Sequence, residues 1–211
     1  FSVQDAVHLL EEQYGLCCTL EELPGERDRN YLARENNGES YVLKISNSCE
    51  TLEFLEVQNY ALESTAKLLE QGRIPRVYPN KNGESLSRVR SKSGSSHWMR
   101  IVRYVDGLPM ADYRPHTKEF LEELGGMCGT VTEALQDCQA QPPARKLLWE
   151  IHNVQETLYE YMHWINEEKL RNWVSRSLDL YNQSLVPVES KLRRGWIHND
   201  FNDYNVLVVP K

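Results

Sequence analysis

The stretch that most restricts the fold is Trp196-Ile197-His198-Asn199-Asp200-Phe201-Asn202-Asp203-Tyr204-Asn205-Val206-Leu207-Val208-Val209. The apolar runs at either end read as short strands, and the polar segment between them must be a loop. One reading of that loop is a turn that uses Asn and Asp because both tolerate turn backbone conformations. The other is a chemical site. A carboxylate at Asp200 suits orienting a hydroxyl and taking its proton. A hard oxygen ligand at Asn205 suits a divalent cation such as Mg²⁺.

The rest of the chain limits what could surround such a loop. Its 211 residues are 40% apolar, enough for one large domain or two small ones with real cores. Acidic residues outnumber basic ones, 31 to 24, for a net charge of −7. With no Lys/Arg-rich block, that balance argues against a nucleic-acid partner. No apolar run approaches the roughly 18 residues that a membrane span needs. The five cysteines include one adjacent pair, Cys17 and Cys18, and no C-x-x-C. Free thiols in a reducing compartment, the cytoplasm, are therefore expected. Phe1-Ser2-Val3-Gln4 lacks the features of a signal peptide. The sequence stops within the strand-like Val206–Lys211, so a piece of a longer chain is expected.

Helical spacing runs over 3–14 and is closed by Gly15. Two strands, 29–34 and 39–45, flank Asn36-Asn37-Gly38, a hairpin turn. A helix follows over 49–71, ended by Gly72. A second hairpin is expected with turns at 80–83 and 91–96 and a last strand over 98–105. Beyond Pro109 the periodicity predicts helices over 117–137, 145–165 and 167–193, the last bent at Pro187. The aromatic stripe within 149–181 is expected to be core. His152 and His163 fall on one face of the second of these helices, where packing or surface exposure is the simpler role than metal binding. The fold class is therefore α+β: an antiparallel sheet with a helix over 1–105, then a mainly helical part over 106–211.

Two features give this organisation a chemical meaning. The loop has the spacing H-x-D-x-x-x-x-N, the spacing of the catalytic loop of protein-kinase-like phosphotransferases. Tyr41-Val42-Leu43-Lys44-Ile45 is a strand with one Lys among apolar neighbours, like the kinase strand whose Lys clamps ATP phosphates. Glu53, Glu56 and Glu63 on the next helix are the carboxylates available to Lys44, with Glu56 favoured. Together with the hinge-like Ile101-Val102-Arg103-Tyr104-Val105-Asp106-Gly107, these residues resemble the aminoglycoside phosphotransferase/choline kinase family. Within it they are most similar to hydroxylysine-kinase-like members, some of which are fused to class III aminotransferases.

The resemblance implies a bilobal protein-kinase-like fold and phosphorylation of small-molecule hydroxyls by ATP with Mg²⁺. It implies Asp200 as the catalytic base, Asn205 as a metal ligand and Lys44 as the phosphate clamp. Arg103, Tyr104 and Val105 would lie beside the adenine, and His198 would brace the catalytic loop. An acceptor bearing hydroxyl and amine groups is implied, with Asp112, Glu119, Glu122 and Glu123 near its pocket. Two features depart from the family pattern. The turn over 24–30 has a single Gly, leaving backbone N–H groups and Arg27 or Arg29 to meet phosphate. The second metal-binding Asp, expected one strand after the catalytic loop, would fall beyond Lys211, as would helices completing the larger lobe. An alternative is thus a non-catalytic, pseudokinase-like nucleotide-binding or regulatory module. The choice between ATP and GTP, the oligomeric state and the acceptor itself stay open.

Overall fold

The computed structural model describes residues 1–25, 27–70, 72–136, 138 and 150–209. Contacts divide the chain into two compact units, Phe1–Gln141 with Trp196–Lys211, and Pro142–Gly195. The first is α+β, with a six-stranded antiparallel sheet.

Helix α1 (Val3–Tyr14) starts at Ser2, whose side chain accepts from the Asp5 backbone while the Asp5 carboxylate accepts from the Ser2 backbone. This reciprocal pair satisfies donors that a helix start leaves open. Its apolar positions Ala6, Leu10 and Tyr14 are buried. They join Tyr31 and Ala33 of β2 (Arg29–Glu35), Tyr41, Leu43 and Ile45 of β3 (Ser40–Ile45), and Met99 and Ile101 of β6 (Ser96–Arg103) in one core. The alternation that places every second residue of β3 in this core is the period-two signature of a strand. Each fully buried Leu or Ile of this cluster contributes about 1.5–3 kcal/mol.

Strand β1 (Cys18–Leu23) lies at one edge of the sheet, beyond β2, and was not legible as a strand from the sequence. The adjacent Glu21 and Glu22 break its apolar–polar alternation. On the other side β6 pairs with β3 and, along its far edge, with both β4 (Val77–Tyr78) and β5 (Ser87–Arg90). The turn at 80–83 is therefore an excursion between two pieces of one edge, not the tip of a hairpin. Asn80 holds it: its Oδ1 accepts from the backbones of Asn82 and Glu84, and its Nδ2 donates to Ser87. The turn over 91–96 does close a hairpin, between β5 and β6.

Helix α2 (Leu52–Leu68), capped by Thr51, lies on the sheet face opposite α1, where Asn59 and Gln58 receive Arg100 of β6. Helix α3 (Lys118–Gln136) packs on α2 and buries Val131, Ala134 and Leu135. Between sheet and α3, β7 (Leu108–Pro109) pairs antiparallel with β8 (Leu207–Val208).

The second unit departs from expectation. Leu147, Leu148 and Trp149 lie outside the described residues. The expected helix over 145–165 is the short α4 (Val154–Tyr161) between two 3₁₀ turns, Ile151–Asn153 and Met162–Trp164. His152 and His163 sit in those turns and do not share a helix face. Helix α5 (Glu168–Ser184) ends before Pro187, which opens a separate 3₁₀ segment, Val186–Lys191, because proline suits a helix start and not its interior. Of the aromatic stripe expected to be core, Tyr159 is 90%, Trp164 72% and Trp173 65% accessible, while Tyr181 is half-buried.

Candidate active site

On the α2 side of the sheet, the strand register builds two successive rows. Leu32, Val42, Val102 and Val77 align across β2, β3, β6 and β4 as an apolar row, with Leu32 and Val102 buried. Two residues along the strands, Asn30, Lys44 and Arg100 align as a polar row. Alternate residues share a face, so the rows are about 6.6 Å apart. A flat apolar group and an anionic group joined to it would meet the two rows in turn.

Lys44 is only partly exposed in this row. Burial and the neighbouring Arg100 push its ammonium below the ordinary value, while Asp28 pulls in the opposite direction. Asp28 lies in the turn between β1 and β2 and accepts from the backbone and side chain of Asn47, at 3.0 and 3.3 Å. That turn folds tightly. A Cβ on Gly25 would lie 2.3 Å from the Asp28 carbonyl oxygen, so no side chain fits there. Glu26 of this turn lies outside the described residues. Arg27 is exposed, and Arg29 turns away to Glu22 (3.0 Å) and the Phe1 carbonyl (3.2 Å).

The carboxylate expected against Lys44 is not in place. Glu56, like Glu53 and Glu63, lies on the exposed side of α2. The helix turns its buried positions Leu55 and Asn59 to the sheet, and Glu56, one residue after Leu55, is rotated about 100° away. Gln58 and Asn59 are the side chains that reach the polar row, and both accept from Arg100. Sequence reading missed Arg100 as a site residue, although its position opposite Lys44 follows from pairing the two strands.

The hinge-like segment leaves the end of β6. Arg103 pairs with Glu39 and lies over the Tyr41 ring, 5.8 Å from its centroid. Its backbone N–H donates to Arg76 (2.8 Å), and that of Tyr104 donates to Ser40 (3.0 Å), which fixes the path into the half-buried Val105. Gly107 then passes close to β8: a Cβ there would lie 2.9 Å from Leu207 Cβ and 3.2 Å from the Val208 carbonyl oxygen. With φ at +153°, this position favours glycine on conformational grounds too. The Met110 and Ala111 backbones donate to Val206 (2.8 Å) and Asp203 (3.0 Å). The polar loop over 198–205 is thereby tied to the segment that follows the hinge.

Within the loop, side chains replace secondary structure. Asn199 adopts φ of 60°, a left-handed conformation that Asn tolerates. Asn202 Oδ1 accepts from the backbones of Tyr204 (2.9 Å) and Asn205 (3.1 Å). Both oxygens of the exposed Asp200 carboxylate accept amide protons: Oδ1 from Asn202 and Oδ2 from Asn205, each at 2.7 Å. Asn205 Nδ2 also donates to the Asp200 carbonyl (2.9 Å). The Asp200 backbone N–H donates to His198 Nδ1 (3.3 Å), so the proton of a neutral His198 ring sits on Nε2, and the ring stands edge-on to Phe201. The expected pair Asp200 and Asn205 is thus in direct contact, braced by His198 and Asn202.

A fit for a divalent cation can be judged from these donors. Asn205 spends Nδ2 on Asp200, which leaves Oδ1 as its ligand atom. Among the described residues no group of three or more His, Cys, Asp or Glu side chains is placed to hold a metal ion. One carboxylate and one amide oxygen suit Mg²⁺, which keeps several waters and takes substrate phosphates as ligands. Asp112, Glu119, Glu122 and Glu123 are exposed at the start of α3 and just before it.

The sequence profile of the phosphotransferase enzyme family (APH) matches residues 19–211. Hydroxylysine kinase of Danio rerio is 25% identical over 214 residues, covering 96% of this chain and 59% of that protein. Among solved structures, a microcompartment-associated aminopropanol kinase superposes with a TM-score of 0.72 at 17% identity, covering 98% of this chain and 65% of that one. The amicoumacin kinase hAmiN, solved with AMP-PNP, Ca²⁺ and Ami, superposes with a TM-score of 0.64 at 14% identity, covering 92% and 55%. Both superpositions show a kinase-like fold. The chain spans less than two thirds of each of these proteins. Among the described residues no helix is long and apolar enough to cross a membrane.

Proposed function

Because the chain belongs to the phosphotransferase enzyme family, we propose that it carries the nucleotide and catalytic-loop portion of a small-molecule kinase. The reaction is transfer of the ATP γ-phosphoryl group to a hydroxyl of an amine-bearing metabolite, an amino alcohol of the hydroxylysine type or an aminoglycoside-like compound, in the cytoplasm. Residues 1–105 hold the nucleotide, and residues 106–211 bring the catalytic loop. The observation that carries this reading is the direct pairing of Asp200 with Asn205 in a loop anchored to the end of the hinge.

Adenine lies along the Leu32, Val42 and Val102 row beside Arg103, Tyr104 and Val105, and the phosphates lie along the row that holds Lys44. Asp200 accepts the proton of the acceptor hydroxyl as that oxygen attacks the γ-phosphorus. The two amide donors on its carboxylate fix its orientation and leave lone pairs for that proton. His198 braces the backbone under Asp200. Asn205 Oδ1 would hold Mg²⁺, which when bound neutralises charge on the phosphates. The exposed carboxylates at the start of α3 suit an acceptor's ammonium group by charge. A fused or associated aminotransferase domain would act on the same class of amine-bearing metabolite.

The test uses the full-length natural protein, assayed for acceptor-dependent ADP formation over a panel of amino alcohols and aminoglycosides. The expected result is turnover with an amine-bearing hydroxyl compound, falling by about 10²–10⁴-fold in Asp200→Asn with nucleotide binding retained. Undiminished turnover in that variant would remove Asp200 from its role. Nucleotide binding without transfer to any acceptor would favour a regulatory module instead.

A further inference from the structure

The polar row of the sheet sets two cations side by side. Arg100 is only 8% exposed, and its cross-strand neighbour on β3 is Lys44. Directly opposed residues on one face have Cβ atoms about 5 Å apart, where like charges destabilise one another. A buried cation needs a counter-charge. The helix that packs over this row supplies neutral amides: Arg100 donates one terminal nitrogen to Asn59 Oδ1 and the other to Gln58 Oε1. Asp28 is the carboxylate that acts on both cations, and Glu50 acts on Arg100.

Arg100 is also short of acceptors. A guanidinium has five N–H donors in a fixed plane. Beyond the two bonds to α2, its Nε is buried without a hydrogen-bond partner among the described residues. Asn59 Nδ2, beside the guanidinium, is likewise buried and unpartnered. Buried polar groups in folded proteins nearly always find partners. Unmet donors on Arg100 and Asn59 next to a half-buried ammonium call for a ligand that is anionic and rich in acceptor oxygens. Gln58 and Asn59 hold the guanidinium in place without neutralising it, as a carboxylate would.

We propose that Arg100, held by Gln58 and Asn59, is a second phosphate-binding cation, forming with Lys44 a two-cation seat for the polyphosphate of the nucleotide. This rests on the nucleotide reading above. It adds that the helix contributes amides so that charge remains available to the phosphates. An Arg at this position also offers planar, multiply bonded recognition that Lys does not.

The experiment measures binding of ATP, adenosine and inorganic tripolyphosphate to the full-length protein and to Arg100→Gln, Arg100→Lys and Gln58→Glu. In Arg100→Gln, affinity for ATP and tripolyphosphate should fall by about 10- to 100-fold while adenosine affinity stays level. Arg100→Lys should recover part of the loss. Gln58→Glu, nearly isosteric, gives Arg100 an ionic partner and should weaken tripolyphosphate binding without unfolding the protein. It therefore decides the matter if Arg100→Gln does not fold. Equal losses for ATP and adenosine would mark Arg100 as a brace between sheet and helix and overturn the proposal. So would unchanged or tighter tripolyphosphate binding in Gln58→Glu. Tripolyphosphate binding that depends on Arg100 in a protein indifferent to adenosine and ATP would uphold the seat and sink the nucleotide reading. A wild-type protein that binds neither tripolyphosphate nor ATP overturns both.

Discussion

Asn205 donates its side-chain amide to both the carboxylate and the backbone carbonyl of Asp200, at 2.7 and 2.9 Å, so the two residues are placed as one unit. Asn202 completes that unit by donating to the other Asp200 oxygen and accepting from the backbones of Tyr204 and Asn205. Under the proposed function Asn202 is a positioning residue. Asn202→Ala should lower turnover by about 10–100-fold with little change in nucleotide affinity. Asn202→Asp keeps the turn acceptor but replaces the amide that donates to Asp200 with a second carboxylate, so turnover should fall at least as far as in Asn202→Ala. Turnover equal to wild type in Asn202→Asp would mean that this amide does not position Asp200.

Lys44 would give the proposed phosphate seat a pH dependence. Burial and Arg100 press its pKa below the ordinary 10.5. The unfolded chain therefore holds this proton to higher pH than the folded chain does. Between the folded and unfolded values, the Lys44 contribution to stability rises with pH. Nucleotide affinity runs the other way, because phosphates favour the ammonium and are lost as pH rises through the depressed value. Calorimetry in buffers of different ionisation heat should detect proton uptake on ATP binding in that alkaline window. Arg100→Gln, by removing the neighbouring cation, should shift the window upward toward 10.5.

At the N-terminus, the reciprocal bonds between Ser2 and Asp5 start α1, and Lys92 adds an ion pair to Asp5 at 2.8 Å. Ser2→Ala should cost about 1 kcal/mol in urea denaturation. Bonds from Lys92 and Ser2 hold the Asp5 carboxyl well below its ordinary 3.8. Its contribution is present above that value and is lost as pH falls toward the folded pKa. Asp5→Asn should therefore weaken the protein at neutral pH, and its deficit against wild type should close at low pH, which paired acid titrations of unfolding would reveal.

What could be read from the residues followed from how locally each was determined. Helix α1, the β2–β3 hairpin and α3 carry strong periodicity with turn or cap residues at their ends, and each formed close to the expected bounds. Strand β1 and the two-residue β4 depend on pairing with β2 and β6, partners that no local pattern reveals. The H-x-D-x-x-x-x-N spacing singles out Asp200 and Asn205 but not their contact, which depends on how the Asn-rich loop closes on itself. Glu56 was favoured by its charge. The rotation of α2 instead presents Gln58 and Asn59, and rotation depends on which residues the helix buries. Tyr159, Tyr161, Trp164 and Trp173 have the composition of a core yet are exposed, since hydrophobicity alone does not say what a side chain packs against.

Gly107 packs against β8, and its substitution separates backbone strain from contact. Gly38 also has positive φ, +93°, but a Cβ there meets nothing within 4 Å. Gly38→Ala should carry only the conformational cost, about 1 kcal/mol. Gly107→Ala adds overlap with Leu207 Cβ and the Val208 carbonyl oxygen, atoms of the strand that leads out of the catalytic loop. Its cost should reach about 1–3 kcal/mol in urea denaturation. The displaced strand carries with it the Val206 and Asp203 carbonyls that anchor the loop to Met110 and Ala111. Turnover in Gly107→Ala should therefore fall several-fold under conditions where the variant is fully folded, while Gly38→Ala keeps wild-type turnover. Equal activity in the two folded variants would show that the β7–β8 pairing does not position Asp200.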